Sequence, residues 1–295
     1  MTTEVFVQSL VSGLTQGCIY ALIGLGFTII FSVTGIINFA QGEFVMLGGM
    51  LSFFLAKSAG LSVFPALIVS ILIAMLIGAV LYLLAIRTAR RASVVSLIII
   101  TIGAAIFIRG IAGELWGADT VAPPFFTGNG SLSVLGASIH VQALWIIGTT
   151  LVVSIVLHLL FSYTVIGKAL KASAMNRTAA GLVGVNTKTM SLIAFTMAAA
   201  LGALGGVVIA PLSLTSYNVG AMLGLKGFVA ASIGGFRSHA VTILGGITLG
   251  VVEQVTVALN WGPFKSNYKE AIALVVLLLV LLIRSRRLFE EERAS

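Results

Sequence analysis

Nine apolar stretches, at about 8–32, 39–57, 62–86, 94–115, 141–163, 189–214, 219–236, 240–259 and 269–284, take up most of this 295-residue chain. A helix needs about 20 apolar residues to cross a bilayer, and most of the stretches approach or exceed that length. In hydrocarbon every backbone N–H and C=O must be satisfied within the protein, which leaves helices or a closed barrel. A barrel would show alternating segments of about 10 residues, and that pattern is absent. The predicted fold is therefore an all-α polytopic membrane protein, with about eight or nine membrane-embedded helices, some of them broken. Composition agrees: 59% of the residues are hydrophobic and 9% charged, against about 25% charged in a soluble domain.

A net charge of +8 invites a nucleic-acid reading. The distribution of that charge excludes it, because the basic residues fall in short loops between apolar stretches, as the positive-inside bias requires. Arg87, Arg90 and Arg91 lie between the third and fourth stretches, Lys168, Lys171, Arg177 and Lys188 between the fifth and sixth, and Arg284, Arg286 and Arg287 after the last. All three regions are expected in the cytoplasm, with a cytoplasmic tail at 285–295. Segment 116–140 holds Asp119, Pro123, Pro124 and Asn129 without Lys or Arg, and is expected outside. Counting back from Arg87 puts the N-terminus outside. No Lys or Arg precedes the first stretch, so it is expected to remain as a span rather than be cleaved.

The same parity makes 219–236 a crossing, yet it is short, glycine-rich and carries Lys226. A lysine at a helix centre costs about 2.5–3.5 kcal/mol on insertion scales. A broken or partly buried crossing is expected there. The 33 glycines fit close helix packing, although the GxxxG pairs among them are about as many as chance supplies. Gly26-Phe27 leading to Gly48-Gly49, and Gly227-Phe228 leading to Gly245-Gly246, form the weak echo that an inverted repeat would leave. The single cysteine, Cys18, excludes an internal disulfide and is expected to fill a core position.

Polar residues stand out in this background. Asn38, Gln41 and Glu43 fall within the apolar run 35–49. Asn38 and Gln41 have capping-box spacing, with Asn38 accepting from the first helical amides and Gln41 reaching back. Glu43 then lies in the first turn, where the macrodipole favours an anion. The same groups could instead line a solute path, since a helix start inside a membrane is itself a polar site. Glu253 either pairs across a helix interface, with Lys226 as one candidate, or lines that path. Arg109 and Glu114 lie toward the outer end of the fourth stretch, and snorkelling to the interface fits Arg109. His140 and His158 mark the two ends of the fifth stretch. Trp116, Trp145 and Trp261 fall near outer ends, as an aromatic belt would.

Segment 164–189 is the longest basic loop. Its alanines favour short helices, and Gly181 and Gly184 can end one; a helical loop of this kind suits docking of a cytosolic partner. The chain has no phosphate-binding G-x-x-x-x-G-K-[ST] and no clustered metal motif. Any ATP consumed in its work must be hydrolysed elsewhere.

The run Gly35 to Gly48, with Asn38, Phe39, Ala40, Gln41, Gly42 and Glu43 at its centre, closely resembles the signature of the inner-membrane permeases of branched-chain amino acid ABC importers. The stretches Ala21–Thr28 and Lys226–Gly235, with Gly245, Gly246 and Glu253, resemble that family too. So does the loop around Gly167, Asn176, Gly181 and Gly184. Two departures are Gln41-Gly42, where many relatives have His-Gly, and the residues Phe236 to His239 in place of a Gly-Ser turn. The resemblance implies one transmembrane permease domain over 1–295 in a bacterial inner membrane. It implies a second permease subunit, two cytosolic ATPase subunits that hold ATP and Mg, and a periplasmic binding protein at the 116–140 side. No cofactor is then expected in this chain. Asn38, Gln41, Glu43, Lys226 and Glu253 become candidates for the translocation pathway. Gly167, Lys168, Lys171, Asn176, Arg177, Gly181 and Gly184 become candidates for ATPase docking. The implied solute is an amino acid or a similar small polar molecule: a branched-chain amino acid, an amide, urea or an aromatic acid. The alternative is a self-sufficient carrier or channel with Glu43, Glu253 and Lys226 as ion sites. An enzyme embedded in the membrane would need paired acid–base groups at one depth, and the sparse polar residues offer no further set.

Overall fold

Each apolar stretch forms a helix where it is described, most within about two residues of the expected bounds; the first begins five residues earlier and the seventh ends three residues sooner. The computed structural model describes residues 3–89, 92–134, 136–259, 271–280 and 282. Helix α1 (Thr3–Thr34) is followed by α2 (Gln41–Ser58), α3 (Val63–Leu81), a π-helical turn (Tyr82–Ile86) and α4 (Val94–Trp116). Strands β1 (Ser131–Val134) and β2 (Ala137–His140) precede α5 (Val141–Tyr163), α6 (Val165–Met175) and α7 (Arg177–Leu182). Then come α8 (Thr187–Ser213), α9 (Val219–Ile233), α10 (His239–Leu259) and α11 (Ala271–Val280). Six of these are long and apolar enough to cross a membrane: α1, α3 with its π turn, α4, α5, α8 and α10. The protein is a polytopic all-α membrane protein. Arg90, Arg91, Trp261, the arginines at 284, 286 and 287 and the tail 285–295 lie outside the described residues.

Helix α1 is the axis of the bundle, and most of its surface is buried, as is that of α8. Helices α3, α4 and α5 turn most of their apolar surface outward, where only lipid or another membrane helix can meet it. Glycines bring the central helices together. Gly13 and Gly17 on α1 face Gly246 and Gly250 on α10 at backbone distance. Gly42 on α2 meets Gly220 and Gly224 on α9, and Gly202 and Gly206 on α8 receive Phe44 and Val45 of α2. The exception among the GxxxG pairs is Gly113/Gly117: Gly113 faces Tyr217, and Gly117, at φ 75°, ends α4. Thr28 and Thr242 add an α1–α10 hydrogen bond of 2.9 Å. Cys18 is buried among apolar side chains, as expected.

The two ends of the bundle differ chemically. At one end Ser93, Thr164, Asn176 and Asn186 cap α4, α6, α7 and α8, beside the basic loops. At the other end Trp116 stacks on Phe54, and Trp145 packs against Phe64 and Phe126. There the 116–140 segment holds an unanticipated β-hairpin, Ser131 opposite His140 and Ser133 opposite Ser138, turning at Gly136 (φ 83°). Val121 also bridges to Thr215 at the end of α8. Helix α9, the crossing expected to be broken or partly buried, is one continuous helix of 15 residues whose Lys226 is covered by protein.

The glycine contacts give a paired expectation. A Cβ at Gly250 would fall on the backbone of Gly17, whereas one at Gly103 meets nothing within 4 Å. Gly250→Ala should destabilise the protein by about 1–3 kcal/mol or more through overpacking, and Gly103→Ala should stay within about 0.5 kcal/mol. Denaturant titration of the purified variants, followed by tryptophan fluorescence, checks this.

Candidate functional site

After α1 the chain turns at Gly35 (φ 71°) and runs back into the bundle without helical bonding, so that α2 begins deep inside it. The depth can be estimated from Gln41, whose Nε2 donates to the carbonyl of Ala198 at 2.8 Å. Ala198 is eleven residues into α8, about 16 Å from its capped start. The first turn of α2 thus lies well inside the bundle rather than at its end.

The capping-box expectation fails here. Residue Ala40 occupies the N-cap position of α2 with no side-chain cap. Asn38 Oδ1 accepts from the amide of Ala40 at 3.2 Å, a local turn, and Gln41 reaches across to α8 instead of back to Asn38. The hydroxyl of Thr101 on α4 accepts from the amide of Phe39 at 3.3 Å. With α8 this close, an interhelical acceptor outcompetes the local one.

Glu43 lies in the first turn of α2, as expected, and is paired with Arg109 of α4. Arg109 therefore does not snorkel to the outer interface. Its guanidinium turns inward because a fully buried carboxylate, 1% exposed, needs a counter-charge more than the arginine needs water. Several atoms of this patch have no hydrogen-bond partner within the protein: Asn38 Nδ2, Gln41 Oε1, Glu43 Oε2 and Arg109 Nε. Buried polar atoms are nearly always bonded, and four exceptions close together mark the start of α2 as chemically unfinished.

A second polar cluster joins α1, α9 and α10. Lys226 Nζ donates to Glu253 Oε1 at 2.7 Å and to the Tyr20 hydroxyl at 3.1 Å. That hydroxyl donates to Glu253 Oε2 at 2.9 Å. All three residues are buried. The Lys226–Glu253 pairing weighed from the sequence is thus present, and Tyr20 is the member that reading missed. Its signal was spacing: Tyr20 lies three residues after Gly17 and four before Gly24, on the stripe that α10 and α9 press against. The five pathway candidates do not form one site. Gly220 and Gly224 of α9 face Gly42, while Lys226, about 200° around the helix from Gly224, faces α1 and α10.

The loop 164–189 folds into the expected short helices. Gly167 is buried where α6 folds sharply against the end of α5 and supports that bend. Lys168, Lys171 and Gly181 are exposed. Asn176 caps α7, Arg177 donates to Ser191 at 3.1 Å, and Gly184 turns at φ 88°. Around them Met175, Leu182 and Val183 are all more than three-quarters exposed, on helices too short to span a membrane.

The branched-chain amino acid transport system permease component family matches residues 9–281. LivH of Salmonella typhimurium, a high-affinity branched-chain amino acid transport system permease protein, is 32% identical over 293 residues, covering 94% of this chain and 93% of its own. BraD of Pseudomonas aeruginosa, named likewise, is 31% identical over 292 residues, covering 95% and 94%. Among solved structures, PsaBC from Streptococcus pneumoniae in complex with Fab has a TM-score of 0.46 and 17% identity, over 94% of this chain and 89% of that one.

The buried triad can be tested apart from any transport assay. Lys226→Met takes the ammonium from the buried Glu253 carboxylate and should cost about 3–5 kcal/mol, whereas Lys226→Met with Glu253→Leu should recover most of that loss. A double-mutant cycle by denaturant titration in detergent measures both.

Proposed function

Because this chain belongs to the permease component family of branched-chain amino acid transport systems, we propose that it forms the translocation pathway of an ATP-driven importer for an amino acid or similar small polar solute. The family is shared with relatives whose names specify branched-chain amino acids; an amide, urea or an aromatic acid has the same demand for a polar path. The observation that carries the reading is the start of α2. There Asn38, Gln41 and Glu43 hold unbonded polar atoms in the interior of a membrane bundle, and Arg109 puts a cation beside the carboxylate. A zwitterionic or amide solute offers both a donor and an acceptor to such a patch.

Lys226, Glu253 and Tyr20 are assigned a different role. They bond to one another, which favours a brace between α1, α9 and α10 over a path for solute or ions. The carrier alternative loses two of its three ion-site candidates on this argument.

ATP hydrolysis, with ATP and Mg, would belong to two separate cytosolic subunits. The exposed Met175, Leu182 and Val183 support α6 and α7 as the surface on which one of them docks. A second permease subunit would cover part of the outward apolar surface of α3, α4 and α5. The basic loops favour a cytoplasmic position for 164–189 and the C-terminus, in a bacterial inner membrane. The hairpin end, with segment 116–140, would then face the periplasm and receive a solute-binding protein.

Two outcomes are expected in vesicles holding the complete importer. Glu43→Ala should lower binding-protein-dependent uptake about tenfold or more, the loss of one charge-assisted contact, while the chain still assembles, because the partner left behind, Arg109, is 30% exposed and is not stranded in the interior. Leu182→Glu should uncouple instead, with binding-protein-stimulated ATP hydrolysis falling and the chain staying in the membrane. Full uptake by Glu43→Ala would remove the α2 patch from the pathway. Gradient-driven uptake by this chain alone would favour the carrier.

A further inference from the structure

We infer that a pocket at the basic end of the bundle binds the phosphate head of an anionic phospholipid. Arg87 follows the π-helical turn, Arg177 opens α7 and Lys188 lies in the first turn of α8. These three separate segments bring their cations to one cavity of about 300 Å³, which Tyr82 and Ser191 also line. Among the described residues no carboxylate lines it. The ion pairs among the described residues are Glu43–Arg109 and Lys226–Glu253, so none of the three pocket cations has a carboxylate partner there.

A positive-inside bias alone requires cations somewhere in the loops. It does not require three of them to share one cavity, where they repel one another until an anion is bound. Arg177 is fixed toward the pocket by its bond to Ser191 Oγ. Guanidinium groups match phosphate oxygens in pairs, and an ammonium adds a point charge. Basic pockets between membrane helices at the cytoplasmic surface suit lipid head groups for this reason.

The apolar side of the pocket selects an amphiphile over a free anion. Val94 and Leu97 of α4 line the cavity. Next to them Leu84, Val95 and Ile99 are each more than 60% exposed, a track on which acyl chains can lie. A lipid satisfies both surfaces at once, and inorganic phosphate only one.

The pocket is separate from the α2 patch, but Arg177 and Lys188 both fall in the loop 164–189 proposed for docking. The test therefore reads lipid binding to the chain by itself, where docking plays no part, and uses Arg87 and Lys188. Native mass spectrometry of the full chain in detergent, titrated with phosphatidylglycerol or phosphatidylcholine, counts bound lipid. Arg87→Gln combined with Lys188→Gln should weaken phosphatidylglycerol binding by roughly 10–30-fold and leave phosphatidylcholine unchanged. Lys57→Gln, at the far end of α2, should change neither. Millimolar inorganic phosphate should not displace the lipid. The inference is overturned if the double variant binds phosphatidylglycerol like the parent, or if Lys57→Gln weakens it as much. Displacement by phosphate would also overturn it, by reducing the pocket to a plain anion site.

Discussion

The backbone contact between α1 and α10 sets the terms for the rest of the bundle. With Gly13 and Gly17 against Gly246 and Gly250, no side chains hold the two axes apart. Helix association in hydrocarbon draws on packing and hydrogen bonds more than on the hydrophobic effect, and close approach increases both. It also brings Tyr20 within reach of Glu253 and lets Lys226 enter from α9. A lysine and a glutamate are tolerated at that depth because the spacing lets every charge find a partner. Were α1 and α10 set apart by ordinary side chains, the same residues would be stranded.

The start of α2 is governed by a related constraint with a different result. Non-helical backbone within a membrane must be covered by protein, and the segment from Gly35 to Ala40 is covered by α4 and α8. Thr101 accepts from the amide of Phe39 and Asn38 from that of Ala40, while the carbonyl of Ala198 serves the Gln41 side chain. The cover is incomplete. The backbone is served first, and four side-chain atoms are left without partners.

Much of this was legible in the chain itself. Long apolar runs fix helices because hydrocarbon leaves the backbone little alternative, so α4, α5 and α10 begin within a residue or two of where the run starts. Buried charges were legible as anomalies but not as pairs. Lys226 and Glu253 could be weighed together, whereas Arg109 was assigned to the interface because its position near the end of a stretch also fits snorkelling. Choosing Glu43 as its partner requires knowing that α2 and α4 are neighbours, which no local pattern states. The capping reading of Asn38 and Gln41 erred for the same reason: local spacing cannot report that α8 lies within 3 Å of the Gln41 amide. GxxxG spacing was uninformative as a count, yet four of the five pairs proved to be helix contacts. What decides is which glycine stripe faces which, and that is a tertiary fact.

The two buried ion pairs can be ranked by what each leaves undone. In the triad the ammonium bonds to carboxylate and hydroxyl, and the hydroxyl bonds to the second carboxylate oxygen. A solute entering there would have to break bonds that are already good, and removing one partner of a buried pair is strongly destabilising. In the α2 patch Glu43 has one oxygen on Arg109 and one with no bond, and Asn38 and Gln41 each keep an unused atom. A polar solute reaching these atoms gains hydrogen bonds without displacing any. Helix α9 touches both patches with opposite faces, glycines toward α2 and Lys226 toward α1 and α10. The anchored face can hold α9 in place while the glycine face lets α2 approach closely. On the proposed reading, this division of labour explains why charges on one side of α9 serve the fold while those on the other remain available to the solute.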